Sequence, residues 1–163
     1  MVSRGLNFNF NMDGLAEFEN SLKDMEKDFK RNVEVGMREY SLLAEEGSKS
    51  LAPRDSGDLE ASIQAGPIAW KGDTVESSVG SNLSYALRRH EAPDKSGERD
   101  KYDNGVKEEG YYADGKGRRT RQKATWRGQM PGRKYIERAV VATEEEYEQI
   151  MAEALSKTLG GNQ

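Results

Sequence analysis

The sequence predicts one α+β domain over residues 1–163, in which a long N-terminal helix and a C-terminal helix pack on a small antiparallel β-sheet. Apolar residues recur at three- and four-residue steps near residues 13–49 and 133–159, which is the spacing of amphipathic helices. The stretch between them at 51–80, LAPRDSGDLEASIQAGPIAWKGDTVESSVG, has the turn residues and alternation of a β-hairpin. A long polar loop is expected at 91–129.

The first helix is expected to reach Lys49 as one long element, with Asn32 or Gly36 as the place of a break or bend. A short strand at 5–10 precedes it, because Leu6, Phe8 and Phe10 alternate there, and Asp13 is the expected N-cap. We interpret the apolar stripe of this helix as core, or as a surface for helix pairing between subunits. The stripe consists of Leu15, Phe18, Leu22, Met25, Phe29, Val33, Met37, Tyr40, Leu43 and Leu51.

Pro53 predicts the end of this helix, since it has no amide hydrogen and disfavours a helical conformation in the residue before it. The turn Asp55-Ser56-Gly57 follows. Residues 59–70 are then expected to form a strand, and the Lys71-Gly72-Asp73 turn leads into a return strand at 74–79. Residues 84–87 read as another short strand, ending at Arg88-Arg89-His90.

The segment 91–129 contains almost no aliphatic residues, so alone it cannot bury enough surface to offset the entropy of ordering it. We expect a loop that is flexible until assembly. The last helix is expected from Arg133 to Leu159, with a restart at Thr143, where Thr143 and Glu146 have the spacing of a capping box. Gly160-Gly161 should end it.

The composition indicates a small core, because 34% of the residues are apolar and 33% are charged. Either the chain carries extended appendages or it completes its burial against neighbouring subunits. The absence of cysteine excludes disulfides and cysteine-based zinc sites. No apolar run is long enough for a membrane span or a signal peptide, so we expect a soluble protein made in a cytoplasm, with no membrane partner.

Charge is strongly segregated although the net charge is only −4. Residues 116–138 are basic with Glu137 as the only acid, whereas the C-terminal helix carries Glu144, Glu145, Glu146, Glu148 and Glu153. A basic segment near Trp126 can touch phosphates without reading sequence. The equally weighted alternative is a solvated loop, or one that docks on the acidic helix of a neighbour. The candidate contacts to DNA or to a partner are Lys116, Arg118, Arg119, Arg121, Lys123 and Arg127.

No constellation of residues indicates an enzyme, a cofactor or a metal site. His90 is the only histidine, and no Gly-x-Ser-x-Gly elbow is present. The segment at 115–119 lacks the spacing of a phosphate-binding loop. The acids Asp94, Asp100, Asp103, Glu108 and Glu109 fit no calcium-loop pattern and are expected to be solvated.

Four pieces of the sequence, in order, resemble a family of minor structural proteins at the head–tail joint of long-tailed phages. Gly14-Leu15 opens the first helix. Residues 51–63 resemble the signature APVDTGxLxxSI, residues 79–86 resemble VGTNxxYAxxxExG, and residues 130–136 resemble PxPFLxPA. The matches cover most of the chain outside 91–129, a segment longer than the loop expected of the family. The motif residues with an implied structural role are Pro53, Asp55, Gly57, Leu59, Ile63, Gly80, Tyr85 and Pro131.

The resemblance implies a virion protein of a tailed phage, made in the host bacterial cytoplasm. Such a subunit would form a homo-oligomeric ring at the neck and surround the DNA channel. Its expected partners are the portal-side connector or head-closure protein, the tail tube or tail-terminator protein, and DNA in the lumen. A tail-terminator or tail-completion subunit, or a non-specific nucleic-acid-binding protein using 116–138, are the alternatives. In this interpretation the fold is held by Leu15, Phe18, Leu22, Ile63, Trp70, Tyr85 and Ile136.

Overall fold

The computed structural model describes residues 13–160 and confirms the α+β class; the strand expected at 5–10 lies outside this range. The helices are α1 (Asp13–Leu51), α2 (Asp58–Ser62), α3 (Ala86–Glu91), α4 (Arg118–Arg121), α5 (Tyr135–Val141) and α6 (Glu144–Thr158). The strands are β1 (Ile63–Ala65), β2 (Ala69–Lys71), β3 (Thr74–Glu76), β4 (Val79–Ser81), β5 (Glu98–Asp103), β6 (Val106–Ala113) and β7 (Lys116–Gly117). They form three small antiparallel sheets, β1-β4, β2-β3 and β5-β6-β7.

Helix α1 runs for 39 residues, which confirms the expectation of one long element, and no break occurs at Asn32 or Gly36. Both residues serve contacts with α6 instead. A Cβ on Gly36 would lie 2.9 Å from Ile150 Cγ2, so glycine is what lets α6 come this close. The side-chain amide of Asn32 donates to Thr158 Oγ1 at 3.1 Å, at the far end of α6.

The predicted restart at Thr143 is confirmed, because α5 ends at Val141 and α6 begins at Glu144. The predicted capping box is wrong. The Thr143 hydroxyl is fully buried and donates backwards, to the carbonyls of Ala139 at 2.9 Å and Val140 at 3.1 Å. It therefore satisfies the end of α5, and Glu146 is free to pair with Arg127.

The central stretch forms the predicted hairpin, with Trp70 opposite Val75 across the β2–β3 turn and Gly72 at φ 62°. The single strand predicted over 59–70 is wrong, because residues 58–62 form α2 and residues 66–68 separate β1 from β2. Gly57 starts α2 from a left-handed conformation at φ 106°. The return strand is also divided, since 74–76 pairs with β2 while 79–81 pairs with β1.

Residues 84–87 do not form the predicted strand. They form a turn and the start of α3, and the small Ala86 is buried while Leu87 is 73% exposed. The hydroxyl of Tyr135 donates to the Ala86 carbonyl at 3.4 Å, which holds α3 against α5. Tyr85, expected to hold the fold, is 41% exposed.

The segment 91–129 is not the featureless loop that its composition predicted. It contains β5, β6, β7 and α4. The strands are joined by Asn104-Gly105 and Asp114-Gly115, and all four of these residues have positive φ, as tight hairpin turns require. Tyr111 is 2% exposed and supplies the apolar anchor that the aliphatic residues do not. A dependence of this order on assembly stays a prediction.

The core is small and lies where the C-terminal end of α1 meets α2, β1, α3 and α5. Ile63 is fully buried there, and Ile136 packs against the cluster, as expected. By contrast Leu15, Phe18 and Leu22 are 54%, 60% and 48% exposed, so the prediction that they hold the fold is wrong. The buried members are Leu51, Ala52, Leu59, Ile63, Ala86, Tyr135 and Ala139.

Candidate functional site

Most of the candidate basic contacts donate hydrogen bonds to the protein's own backbone. Arg118 donates to the Glu109 carbonyl at 3.0 Å, Arg119 to the Asp55 carbonyl at 2.6 Å, and Arg121 to the Tyr111 carbonyl at 3.3 Å. Hydrogen bonds from a charged donor are stronger than neutral ones. Arg118 and Arg121 therefore fasten α4 to strand β6, and Arg119 fastens α4 to the turn after α1.

Lys123 caps the C-terminal end of α1. Its ammonium donates to the carbonyls of Lys49 at 2.8 Å and Ala52 at 2.9 Å, and pairs with Glu60 at 3.2 Å. A cation is favoured here because the last carbonyls of a helix are unpaired and carry the negative end of its dipole. Burial lowers the pKa of Lys123, against the raising effect of Glu60.

Arg127 connects the end of the basic segment to α6. It donates to the Ala142 carbonyl at 3.2 Å and forms an ion pair with Glu146, whose pKa the hydrogen bond lowers. Its guanidinium also lies 5.0 Å from the Trp126 ring centroid. The indole in turn packs directly on Gly47 of α1, where an added Cβ would lie 2.4 Å from Trp126 Cη2.

The turn after α1, residues 54–57, which we call the motif turn, is held in place by side chains of the segment 91–129, which we call the insertion. Thr120 Oγ1 accepts from the Arg54 amide at 2.9 Å and donates to the Arg54 carbonyl at 3.1 Å. Asp55 Oδ1 accepts from Lys101 Nζ at 2.7 Å and from the Tyr111 hydroxyl at 2.8 Å. The conformation of the motif turn therefore depends on hydrogen bonds from the insertion.

The same contacts shift the acidity of the groups involved. Burial by itself would raise the pKa of Asp55, but the hydrogen bonds from Lys101 and Tyr111 outweigh it and hold the pKa below its usual value. The hydrogen bond to Asp55 raises the pKa of Lys101 to about 12. Asp55 and Lys101 thus stay charged together at neutral pH.

A cleft of about 310 Å³ opens beside this turn, between α3, the β6–β7 region and the loop before α5. Lys116, the sixth candidate contact, lies on it, with no hydrogen-bond acceptor for its ammonium among residues 13–160. The motif residues Pro53, Asp55, Gly57, Leu59 and Tyr85 also line the cleft.

Besides Arg54, which pairs with Glu60, three further cations line the cleft: Arg88, Arg89 and Arg133. The sequence analysis did not single them out as contacts. Two backbone hydrogen bonds bring them together: Gly132 N–H to the Leu51 carbonyl at 2.9 Å, and Lys134 N–H to the His90 carbonyl at 3.0 Å. The adjacent Arg88 and Arg89 are visible in the sequence, but nothing in the sequence indicates that they lie near Arg133, which is far away along the chain.

The remaining motif residues have structural positions. Gly80 pairs with Gln64 in the β1–β4 ladder, and Pro131 is buried beside the core. His90 donates through Nδ1–H to Glu91 Oε1 at 2.8 Å, and its ring packs edge-on against Tyr135 with 4.9 Å between the ring centroids. It belongs to α3 rather than to the strand end that was expected.

The acidic residues of the insertion do not form a cluster in the described part of the chain. Asp100 accepts from the Gly110 amide at 2.9 Å and pairs with Lys107, and Asp103 pairs with Lys101. Within residues 13–160, no group of three acidic or histidine side chains could hold a metal ion.

A second surface feature lies on α1, where every residue from 14 to 27 is exposed. Leu15, Phe18, Leu22, Met25 and Phe29 are between 37% and 60% exposed and follow a strict three-four-three-four spacing. This is the a/d pattern of a coiled-coil seam. We call these five residues the seam, and all five are exposed in the described part of the chain.

Protein-family models, curated protein sequences and solved structures give no match to this chain. Among the helices between residues 13 and 160, none has an apolar stretch of the length needed to cross a bilayer.

Proposed function

We propose that this protein is a structural subunit of a tailed-phage virion. It would form a homo-oligomeric ring at the neck, between the portal side of the head and the tail, around the DNA channel. The observation that carries the proposal is the exposed seam on α1, a helix face patterned for pairing and left uncovered. The resemblance of the motif segments supplies the assignment to the neck, and a tail-terminator ring at the top of the tail tube is the alternative.

The half of α1 that carries the seam has little to hold it as a helix within one subunit. Ion pairs between Glu19 and Lys23 at 2.9 Å and between Glu26 and Lys30 at 2.7 Å support it. Such pairs contribute only about 0.3–0.5 kcal/mol each. Isolated helices of this length are marginal in water, because most helical stability comes from packing an apolar face. A partner along the seam would supply that packing.

The charges that flank the seam favour parallel pairing of identical copies. With the seam residues at heptad positions a and d, Glu19 and Glu26 occupy e positions. In a parallel pair the g–e′ contacts place Glu26 opposite Ser21, without like-charge repulsion. In an antiparallel pair e positions face each other, so Glu19 and Glu26 would repel. Two copies paired through the same face form a two-fold unit, so closing a ring also requires heterologous contacts through other surfaces.

The energy of the seam suits assembly on a template better than a tight dimer. Each of its five side chains still has about half of its surface to bury, which is worth about 1 kcal/mol per side chain. Association costs about 4–15 kcal/mol in lost translational and rotational freedom. The seam alone therefore gives weak pairing, and further contacts in a ring are required to stabilise it.

The test is sedimentation equilibrium of the full chain over a wide concentration range, with Leu22→Asp against Asn20→Asp. Asn20 lies on the outer face of the same helix turn, so both variants add one negative charge at neighbouring positions. We expect the natural chain and Asn20→Asp to associate with rising concentration, and Leu22→Asp to stay monomeric. Equal association of the two variants would show that the seam does not mediate association and would overturn the argument for a ring.

The place in the virion needs a separate experiment. Cryo-electron microscopy of phage particles released from cells that produce this chain should locate a ring of it between portal and tail tube. Particles complete in head, neck and tail without this chain would overturn the proposal.

A further inference from the structure

We propose that the cleft beside the motif turn is a binding site for phosphate groups, with Arg88, Arg89, Lys116 and Arg133 as the residues that hold them. The site is different from the six-residue set expected from sequence. Five of those six cations donate to protein acceptors, and Lys116 alone is shared by both sets.

The first observation is that these four cations line the same cleft and have no counter-charge of their own. None of them has a carboxylate oxygen within 4 Å in the part of the chain from 13 to 160. Neighbouring Lys134 differs, because it pairs with Glu91 at 2.8 Å and Glu137 at 3.1 Å. Gathering like charges is unfavourable and is relieved when an anion enters.

Two other charged residues of the lining, Arg54 and Asp55, are already paired within the protein. Arg54 forms a two-bond contact with Glu60 at 2.7 and 2.8 Å. Asp55 is held by Lys101 and Tyr111. Asp94 is the remaining carboxylate on the lining, and it packs on Gly115, where an added Cβ would lie 2.6 Å from Asp94 Cβ. The cations therefore dominate the free charge of the cleft.

The second observation is the way in which the fold places these residues. Arg88 and Arg89 lie on α3, while Arg133 comes from the loop that is hydrogen-bonded to α1 and α3. Lys116 lies over that loop, because a Cβ on Gly132 would be 3.3 Å from Lys116 Cε. This approach keeps the Lys116 ammonium on the same side of the cleft as Arg133.

The third observation concerns the aromatic residues of the lining. Tyr85, at 41% exposed, and the half-buried Tyr112 both face the cleft beside the cations. Arginine forks match the oxygens of a phosphate, and tyrosine faces stack on bases without reading sequence. A volume of about 310 Å³ is larger than a bare anion needs, so a nucleotide unit fits better. The phosphate can come from a nucleic-acid backbone or from a free nucleotide.

The experiment measures binding of a labelled single-stranded oligonucleotide by fluorescence anisotropy, over a range of salt concentrations. It uses the full chain carrying Leu22→Asp, so that failure of ring assembly does not affect the readout. Arg88→Ala with Arg89→Ala is compared with Lys23→Ala with Lys27→Ala, which removes the same charge from exposed positions on α1. Circular dichroism checks that the variants are folded, as expected for exposed arginines without ion-pair partners.

We expect the cleft variant to bind at least about tenfold more weakly and the α1 variant to bind like the parent. The slope of log K against log salt should fall by about 1.4 when two phosphate contacts to a single strand are lost. Arg133→Ala and Lys116→Ala should each lower the slope by about half that amount.

Competition then separates the sources of phosphate. Displacement by a nucleoside triphosphate at similar concentration would assign the cleft to free nucleotides, and a strong preference for the oligonucleotide would assign it to a nucleic-acid strand. Either result supports a phosphate site. Equal losses in the cleft and α1 variants, no binding, or tighter binding of polyglutamate than of either phosphate ligand would overturn it.

Discussion

Gly47→Ala is expected to destabilise the protein by about 2 kcal/mol, although alanine is the better helix former. The substitution gains about 0.5–1 kcal/mol of helix propensity in a helix interior. Against this, the new Cβ would lie 2.4, 2.8 and 2.9 Å from three ring carbons of Trp126. Overpacking of this kind costs about 1–3 kcal/mol, and the upper end applies because an indole cannot bend aside as a flexible chain end can.

Two other glycines of α1 provide matched controls. Gly36→Ala brings its Cβ within 2.9 Å of Ile150 Cγ2 and 3.1 Å of Met151 Cε. The methionine end can rotate away but the β-branched isoleucine is stiff, so the loss should be intermediate, about 1 kcal/mol. Gly14→Ala meets nothing within 4 Å and should be neutral or slightly stabilising.

Thermal and urea unfolding of the three variants, followed by circular dichroism, measures these differences. For a domain of this size about 2 kcal/mol corresponds to a fall in Tm of about 4–8 °C for Gly47→Ala. Trp126 emission should shift in the same variant, because the indole must move. A Gly47→Ala protein as stable as Gly14→Ala, with unchanged emission, would refute the packing of Trp126 on α1.

Three other perturbations test the contacts around the motif turn. Tyr111→Phe removes the hydrogen bond from the tyrosine hydroxyl to Asp55, while Asp55 still accepts from Lys101. The free energy of unfolding in urea should fall by about 1–2 kcal/mol. No change would mean that the insertion unfolds separately from the core. Lys123→Met leaves two carbonyls at the end of α1 unpaired and should cost about 2–4 kcal/mol, with Lys27→Met as the exposed control whose stability should not change. Acid should weaken the fold, because the pKa values of Asp55 and Glu60 lie below their usual 3.8 and 4.5 in the folded state. Their contribution is complete above those usual values and is lost as the pH falls through the folded ones, so urea midpoints should drop below about pH 4.5, and less steeply in Glu60→Gln.

The parts of the fold that sequence predicted well are those with a local physical signal. The period of the α1 and α6 stripes, Pro53 at the end of α1, and the Gly72 turn each act within a few residues. The helix is not broken at Gly36, the weak point that propensity suggested, because the glycine there makes room for another helix. The capping box at Thr143 failed because the hydroxyl has buried acceptors behind it.

The insertion was misjudged from its composition. Its order depends on one buried aromatic, Tyr111, and on charged side chains that bond to backbone carbonyls far away in sequence, such as Arg119 to Asp55. A count of apolar residues cannot detect either contact. The signal that was available is the pair of turns at Asn104-Gly105 and Asp114-Gly115, which predicts hairpins.

Only part of the candidate site could be predicted from the sequence, because its residues are brought together by contacts between distant segments. Basic residues clustered in sequence at 116–127 point in different directions once the chain folds, and most of them are used internally. The cleft cations come from residues 88–89, 116 and 133, which only the contacts between α3 and the loop before α5 bring together.

The uncovered half of α1 affects how the size of the molecule is measured. Residues 14–27 extend about 20 Å as a rod at 1.5 Å per residue. A body with such a projection tumbles and diffuses more slowly than a sphere of 18.3 kDa. A single copy should therefore elute early from a gel-filtration column, at the position of a heavier compact protein, and light scattering or sedimentation, which report mass, will count copies correctly.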